Sequence, residues 1–338
     1  MRHSFADRPS VIKWVRAEIY NLLACADYVV QNAEDNDRRE ENSWVVLFAH
    51  ALAGILRNES QWRRSIELQT RAVKSGEKIH VPLAVANALS ERGILYRLTA
   101  ELDSAAADLT RAISIYRQVG GAAGQTGEAH ALNTYGVVLD QRDERDEGRR
   151  RLSEALDIYR RVNDPLGEAN VLHDQGMAEF FAGNFDMAAQ LLGQALELYK
   201  SVDQPLGMAH AHSNLARAQH SVGDERAAAD NLQSARVLYR DLGNQLGEIN
   251  VLVRLGAVLR QQDRDGAVEI LNESIGLSLG IGNQLARIHA LDELGEIYLA
   301  DGDTTAALDT WSRALKIARE HGVLREAAKL TDKIRRVR

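Results

Sequence analysis

The sequence predicts an all-α solenoid of about seven helix–turn–helix repeats with a capping helix at each end. The first observation behind this is a block that returns along the chain, as VNDPLGEANVLHDQG (162–176), VDQPLGMAHAHSNLA (202–216), LGNQLGEINVLVRLG (242–256) and IGNQLARIHALDELG (281–295). The second is that apolar and small residues recur three and four positions apart, as on one face of a helix. Such a period is typical of solenoids, whose units bury their apolar faces only by stacking on their neighbours.

The last residue of each block serves below as its landmark residue. The landmark residues Gly176, Ala216, Gly256 and Gly295 are separated by steps of 40, 40 and 39, and weaker copies of the block end earlier in the chain. The weaker landmark residues are Gly93 and Gly136. On this register we expect seven helix pairs, which begin near Trp44, Val81, Gly124, Pro165, Pro205, Gln245 and Gln284.

Within each pair, small residues are predicted to let the two helices approach closely. In the last repeat Leu294, Gly295 and Tyr298 line the first helix, and Ala307, Trp311 and Ala314 line the second. The turns between the two helices carry a glycine, which suits a left-handed cap, followed by Asn or Asp, which can cap the next helix. These turns are Gly183-Asn184, Gly223-Asp224 and Gly302-Asp303.

Three segments follow in chain order. Residues 1–42 are predicted to form an amphipathic capping helix, roughly Val11 to Gln31, and an acidic link. Residues 43–321 form the solenoid, and 322–338 a closing helix with a polar, solvated outer face rich in Lys and Arg, including Lys333. Tyrosines that close successive second helices are predicted to pack at the elbows between pairs; they are Tyr116, Tyr159, Tyr199 and Tyr239.

Composition excludes several classes of function. The net charge of −7 and a pI of about 5.8 disfavour wrapping of nucleic acid, which requires a basic face. The one cysteine, Cys25, excludes an intrachain disulfide and a cysteine cage for metal, and we expect it to be a buried, inert thiol. The chain has no run of eighteen apolar residues and no apolar signal core near Met1, so we expect a soluble, cytoplasmic protein.

No pattern of catalytic or metal-binding residues is recognisable. GGAAGQTG (120–127) resembles a phosphate loop, but Gln125 replaces the lysine and a helix precedes it, so we interpret it as an elbow lengthened by three residues. Histidines in different repeats lie on helices about 8–10 Å apart, whereas zinc needs ligands about 2 Å away. We therefore predict no metal, no cofactor and no enzymatic activity.

One set of polar residues suggests a binding surface. Six positions before each landmark residue stands a side chain that both donates and accepts hydrogen bonds; this polar column is Asn87, His130, Asn170, His210, Asn250 and His289. Residues three before, one after and four after a landmark residue share the same helical stripe, and the candidates among them are Asn133, His173, Ser213, Asp292, Met177, Arg217, Phe180 and Arg260.

Two interpretations of this stripe remain open. It is either a solvated wall that binds nothing specific or a track whose Asn and His side chains pair with an extended peptide. In the second case Met177, Phe180 and Phe181 offer an apolar pocket, although Phe181 could equally belong to the core.

The pattern Leu294-Gly295, Tyr298, Ala307, Trp311, Ala314 resembles the tetratricopeptide repeat. Ala216 in place of glycine, Gly148 in place of alanine and a repeat longer than the usual length of about 34 residues depart from that pattern. The resemblance implies a right-handed superhelix whose first helices line a concave groove that binds a protein or peptide. The Lys/Asn/Arg clamp of the family's chaperone-tail binders is not matched, so that activity is not predicted.

The segment IKWVRAEIYNLLACADYVV (12–30) resembles the stretch leading into the repeats of actinomycete STAND-type regulators, which carry an NB-ARC nucleotide switch and often a DNA-binding domain. The residues that carry the resemblance are Trp14, Glu18, Asn21, Leu22 and Leu23. It implies that the chain is an excised C-terminal sensor and that Met1 is not native.

We therefore expect a non-catalytic module that holds a protein or peptide segment, including domains of its own full-length chain, in the concave groove. The alternative is a sensor of a small molecule or signalling peptide that gates a transcriptional switch. Membrane association and direct binding of nucleic acid are not expected.

Overall fold

The computed structural model describes residues 14, 18, 20–21, 24–31, 39–58 and 60–337. In this part of the chain the regular structure is helical, without a strand. Residues 14, 18, 20–21 and 24–31 are helical, and the other residues before Arg39 in the predicted N-terminal helix and link, including Leu22, Leu23 and 32–38, lie outside the described residues. The helices that follow are α1 (Arg39–Asn58), α2 (Trp62–Lys78), α3 (Pro82–Leu98), α4 (Leu102–Val119), α5 (Gly121–Gln141), α6 (Arg145–Arg161), α7 (Pro165–Phe181), α8 (Phe185–Ser201), α9 (Pro205–Ser221), α10 (Glu225–Asp241), α11 (Gln245–Leu259), α12 (Arg264–Gly280), α13 (Gln284–Ala300), α14 (Thr304–Glu320) and α15 (Leu324–Val337).

Helices α1 to α14 form seven consecutive helix–turn–helix pairs, and α15 closes the array. The predicted all-α repeat solenoid is therefore confirmed. Helix α1 begins at Arg39, ahead of the predicted start of the solenoid at 43, so the last residues of the predicted acidic link are helical.

The chain divides into two compact units, Met1–Gly167 and Glu168–Arg338. Within each unit, the first helix of one pair contacts the first helix of the next pair. In the first unit α1 contacts α3 and α3 contacts α5, and in the second α11 contacts α13. The first helices of successive pairs thus pack directly on one another, and the surface that they form within a unit is called the first-helix face below.

The turns within pairs follow from glycine and a capping residue. Gly223 and Gly302 adopt φ angles of 83° and 79°, which favour glycine because it has no Cβ. The next residue caps the second helix: Asp224 Oδ1 accepts from Ala227 N at 3.1 Å, and Asp303 Oδ1 accepts in the same way. Asn184 is the exception to the predicted pattern, because its side chain donates to Glu179 Oε2 at 2.6 Å and makes no cap.

The landmark glycines lie where paired helices approach most closely. A Cβ placed on Gly176 would lie 2.8 Å from Cγ of Leu192, and one on Gly256 would lie 2.5 Å from Cγ of Leu271. Both leucines are fully buried. Only a residue without a side chain permits this packing without displacement, which explains why the pattern asks for glycine there.

Two local predictions are wrong. The glycine-rich segment 120–127 is not a lengthened elbow: α4 ends at Val119 and α5 begins at Gly121, so the extra residues extend α5 to 21 residues. Cys25 is exposed rather than buried. The helix at 24–31 instead buries Ala26 and Val30, four positions apart, and Cys25 falls off that face.

Candidate functional site

The polar column lies on the surface of the first helices. Asn87, His130, Asn170, His210 and Asn250 are all exposed, and His289 is half-buried. The first two belong to the first unit and the others to the second. A column that alternates between Asn and His is therefore compatible with these helices because its members do not enter the apolar core.

The elbow tyrosines bind this column, which was not predicted. Tyr116 donates its hydroxyl to Asn87 Oδ1 at 2.7 Å, and Tyr199 donates to Asn170 Oδ1 at the same distance. The Tyr239 hydroxyl likewise lies 2.7 Å from Nδ1 of His210. The two partners are 29 residues apart in each case, a constant separation that would have revealed the contact.

Burial keeps these phenols protonated. It raises the pKa of Tyr116 and of Tyr239 to about 12, and it raises the pKa of Tyr199 as well. For His210, whose imidazole is partly covered although the residue lies at the surface, this partial burial and then the neighbouring His173 lower the pKa. A neutral imidazole can accept at Nδ1, so His210 can take the same acceptor role as the amide oxygens of Asn87 and Asn170.

Each tyrosine ring also packs on a glycine of the next pair, as the predicted elbow packing requires. A Cβ on Gly207 would lie 2.4 Å from Cδ1 of Tyr199, and a Cβ on Gly247 would lie 2.5 Å from Cδ1 of Tyr239. We call this arrangement the tyrosine clamp: a ring seated on a bare backbone, with its hydroxyl on a column residue.

The last junction lacks the clamp. Ser278 stands where the tyrosine would be, since Asn283 N donates to Ser278 O as Asn244 N donates to Tyr239 O in the preceding turn. Ala286 replaces the glycine. Ser278 and Ala286 are both buried. The exposed amide of Asn250 therefore has no tyrosine hydroxyl opposite it.

In the second unit the predicted stripe forms a network between neighbouring first helices. His173 Nε2 on α7 lies 3.0 Å from Nδ2 of Asn214 on α9, and Arg217 Nη1 donates to Asn214 Oδ1 at 3.3 Å. Ser213 is buried, and its hydroxyl accepts from Nη1 of Arg254 on α11 at 2.9 Å. Arg254 was missed because it lies two positions before its landmark residue, off the predicted stripe.

An aromatic cluster adjoins this network. The Phe180 ring lies 5.6 Å from the Phe181 ring and 5.4 Å from the Phe185 ring, centroid to centroid. The guanidinium carbon of Arg217 stacks 4.4 Å above the Phe180 ring. Phe181 is 60% exposed, so it does not belong to the core. Met177 and Phe180 are half-buried on the same helix.

Other predicted site residues face the closing helix. Asp292 Oδ1 lies 2.5 Å from Nζ of Lys333, which also pairs with Glu296 at 2.8 Å. His289 Nε2 lies 3.9 Å from a carboxylate oxygen of Glu326. Lys333 is therefore a half-buried ion-pair partner and not part of a solvated basic face, and α15 occupies this part of the first-helix face.

The remaining two candidates stand apart from the network. Arg260 Nη1 pairs with Glu293 Oε2 at 3.3 Å, and burial raises the pKa of that carboxyl group. Asn133 is half-buried in the first unit. The central group in the second unit thus consists of His173, Met177, Phe180, Ser213 and Arg217.

Each unit contains a cavity on its first-helix face. The cavity of the first unit has a volume of about 550 Å³, and its lining includes Leu47, Asn87, Tyr116 and His130. The cavity of the second unit has a volume of about 210 Å³ and lies among α7, α9, α10 and α11. Ligand pockets for drug-sized molecules span roughly 300–1,000 Å³, so only the first has that size.

Neither a metal site nor a membrane span is found in the described part of the chain. No three His, Cys, Asp or Glu residues there are grouped so that they could hold an ion. No described helix combines the length and the apolar character needed to cross a bilayer.

The fold and its surface define a helical-repeat protein with a polar first-helix face. Residues 127–201, in the middle of the array, match the family model of the tetratricopeptide repeat. No curated protein matches the chain significantly.

Solved structures share the fold at low sequence identity. A STAND protein with a tetratricopeptide repeat sensor from Pyrococcus horikoshii aligns with a TM-score of 0.67 at 16% identity, over 95% of this chain and 49% of that one. The apo form of RapI aligns with a TM-score of 0.61 at 11% identity, over 82% and 98%. A Rap protein complexed with Competence and Sporulation Factor aligns with a TM-score of 0.55 at 14% identity, over 95% and 97%.

Proposed function

We propose that the chain is a non-catalytic module that binds a protein or peptide segment and forms the sensor or regulatory part of a larger cytoplasmic signalling or transcriptional regulator. Its partner includes, on this proposal, domains of its own full-length chain. The similarity to the sensor-bearing STAND protein, of which this chain spans about half, and to the Rap protein in complex with a factor supports the proposal.

The observation that carries the proposal is the mixed chemistry of the first-helix face in the second unit. His173 and Arg217 offer hydrogen bonds beside the apolar side chains of Met177 and Phe180. A wall that only meets water needs no aromatic cluster and no arginine stacked on it. An extended peptide, in contrast, presents backbone amides and side chains at regular intervals, and both find partners here.

The experiment selects random peptides from a phage-displayed library on the protein and then measures their affinity for variants. Met177→Ala combined with Asn250→Ala removes an apolar contact and a free amide without disturbing a tyrosine clamp. We expect binding to fall at least tenfold while the melting temperature stays near that of the wild type. Glu197→Gln, at an exposed position of α8, is the control and keeps full affinity.

Asn170 and His210 are excluded from this test because they hold Tyr199 and Tyr239. Replacing either would confuse lost binding with lost stability. Selected peptides that bind the double variant as tightly as the wild type would contradict the use of this face.

The cavity of the first unit favours a second candidate, a sensor of a small molecule. Its volume of about 550 Å³ suits a metabolite, and Asn87, Tyr116 and His130 place polar groups in a mainly apolar lining. Thermal-shift screening against metabolites tests it. A ligand of this cavity should lose its effect on Ala84→Phe, which fills the cavity, and keep it on Met177→Ala.

A further inference from the structure

Two arginines in the second unit converge on one cavity without a carboxylate partner. Arg217 on α9 and Arg254 on α11 both line the cavity of about 210 Å³, and none of the residues that line it is acidic. His220 also lines it, and the carboxylate nearest to that ring, Glu225, lies 2.7 Å from His220 Nδ1.

The contacts of both guanidinium groups are to neutral groups. Arg254 donates to the hydroxyl of Ser213 at 2.9 Å. Arg217 donates to the amide oxygen of Asn214 at 3.3 Å and stacks on Phe180. In the same unit Arg236 donates to both carboxylate oxygens of Glu273 at 2.7 Å, which is how a partly buried arginine is normally satisfied.

The electrostatics agree with this geometry. Burial, and then the positive charge of Arg217, lower the pKa of Arg254 to about 10. Burial also lowers the pKa of Arg217. Two like charges held together away from water are unfavourable unless an anion joins them.

We propose that Arg217 and Arg254 form a carboxylate-binding pocket that receives an acidic side chain or the free carboxyl terminus of a bound peptide. The guanidinium fork matches a carboxylate geometrically, and two forks can hold both of its oxygens. Leu232, Ala257 and Val258 supply apolar walls that suit the methylene groups next to the carboxylate.

The size of the cavity restricts the ligand. A volume of about 210 Å³ lies below that of a drug-sized site, so it accommodates one terminal group of a longer ligand rather than a whole metabolite. This assignment of a peptide carboxylate rests on the proposed function, whereas the binding of a carboxylate as such does not.

The first test uses acetate as the probe. Sodium acetate should raise the melting temperature of the wild type more than sodium chloride does at equal ionic strength. Arg254→Met should abolish this difference and melt at or above the wild-type temperature, because it removes an uncompensated charge. Arg240→Gln, which removes one exposed charge on α10, should keep the acetate response.

The second test measures the retention of three pools of random nonapeptides. One pool has Asp or Glu at the centre and an amidated end, one has Asn or Gln there with an amidated end, and the third has Asn or Gln with a free end. We expect the wild type to retain the first or the third pool at least tenfold better than the second, and Arg254→Met to lose that preference. Preference for the first pool shows that the pocket binds the carboxylate of an acidic side chain, and preference for the third shows that it binds the carboxyl terminus of the peptide.

The proposal is overturned if acetate has no greater effect than chloride, or if Arg254→Met melts well below the wild type and retains all pools as the wild type does. An acetate response that Arg254→Met abolishes, with no pool retained by the wild type, would support the pocket and contradict the peptide-binding function.

Discussion

Arg92 in the first unit and Arg254 in the second are both half-buried on first helices but have opposite environments. Arg92 donates to both carboxylate oxygens of Asp108, at 2.6 and 2.8 Å, and this contact raises its pKa in spite of burial. Arg254 finds only a serine hydroxyl, and burial lowers its pKa to about 10. Arg92 thus stabilises the solenoid through its ion pair, whereas the uncompensated charge of Arg254 destabilises it. Only Arg254 has guanidinium donors that a carboxylate ligand could still engage.

The largest expected effect comes from removing the carboxylate partner of Arg92. Asp108→Ala should destabilise the first unit by about 3–5 kcal/mol, because it leaves a buried guanidinium without its counterion. Arg254→Met should instead stabilise the protein, on the order of 1–3 kcal/mol, as replacement of buried ionic groups by apolar ones often does. Chemical denaturation measures both, and changes of the same sign would contradict the distinction.

A smaller effect compares two glycines of one helix pair. Gly176 abuts Leu192, whereas a Cβ on Gly193 would have nothing within 4 Å. Gly176→Leu should overpack the contact and cost about 1–3 kcal/mol. Gly193→Leu should leave the midpoint of thermal unfolding unchanged or raise it, since glycine is about 1 kcal/mol less favourable than good helix formers. Equal midpoints for the two variants would show that the register of the pair is wrong.

The junctions with and without a tyrosine clamp give the next prediction. Ser278→Tyr alone should strain the chain, because the new ring meets the Cβ of Ala286, whereas Ser278→Tyr with Ala286→Gly should rebuild the clamp on Asn250. We expect a favourable coupling energy of about 1 kcal/mol in a double-mutant cycle, the typical contribution of one hydrogen bond. Additive effects of the two substitutions would refute the clamp as a unit.

The smallest effect depends on pH and compares two clamps. Asn170 does not titrate, whereas the pKa of His210 lies below its ordinary value of 6.5 because of burial and the neighbouring His173. The unfolded chain therefore takes up this proton first as the pH falls, so the stability associated with a neutral His210 is present above pH 6.5 and is lost at lower pH.

His210→Asn keeps an acceptor for Tyr239 and removes the titration. We expect it to match the wild type at pH 7.5 and to lose less stability between pH 6.5 and 5, as measured by urea unfolding at each pH. Parallel curves for the two proteins would show that His210 does not contribute to the acid sensitivity.

The period of the sequence was sufficient for the fold but not for the site. Landmark glycines such as Gly176 predicted the helix pairs, because close helix packing demands a small residue at a fixed place. The hydroxyl contact of Tyr239 with His210 joins residues 29 positions apart and could be recognised only from the side-chain geometry. The joint loss of tyrosine and glycine at Ser278 and Ala286 is nevertheless a signal in the sequence.

Two further features depend on packing that periodicity does not describe. Lys333 reaches Asp292 only because α15 docks on the first-helix face, and the sequence predicts the helix but not its direction. Arg254 resembles any other helical arginine in the sequence. What distinguishes it is the lack of an acidic residue in the lining of its cavity, and this is visible only in the tertiary structure.

The tyrosine clamp has a consequence for how such a chain lengthens. A 40-residue segment such as 205–244 begins with the glycine on which the preceding tyrosine packs, here Gly207. It ends with the tyrosine that packs on the next glycine, here Tyr239. A tandem duplication of that segment would bring Tyr199 onto the first copy, the first Tyr239 onto the second copy, and the second Tyr239 onto Gly247. Gene duplication in whole segments thus yields a longer array whose new junction is already complementary, without any compensating substitution.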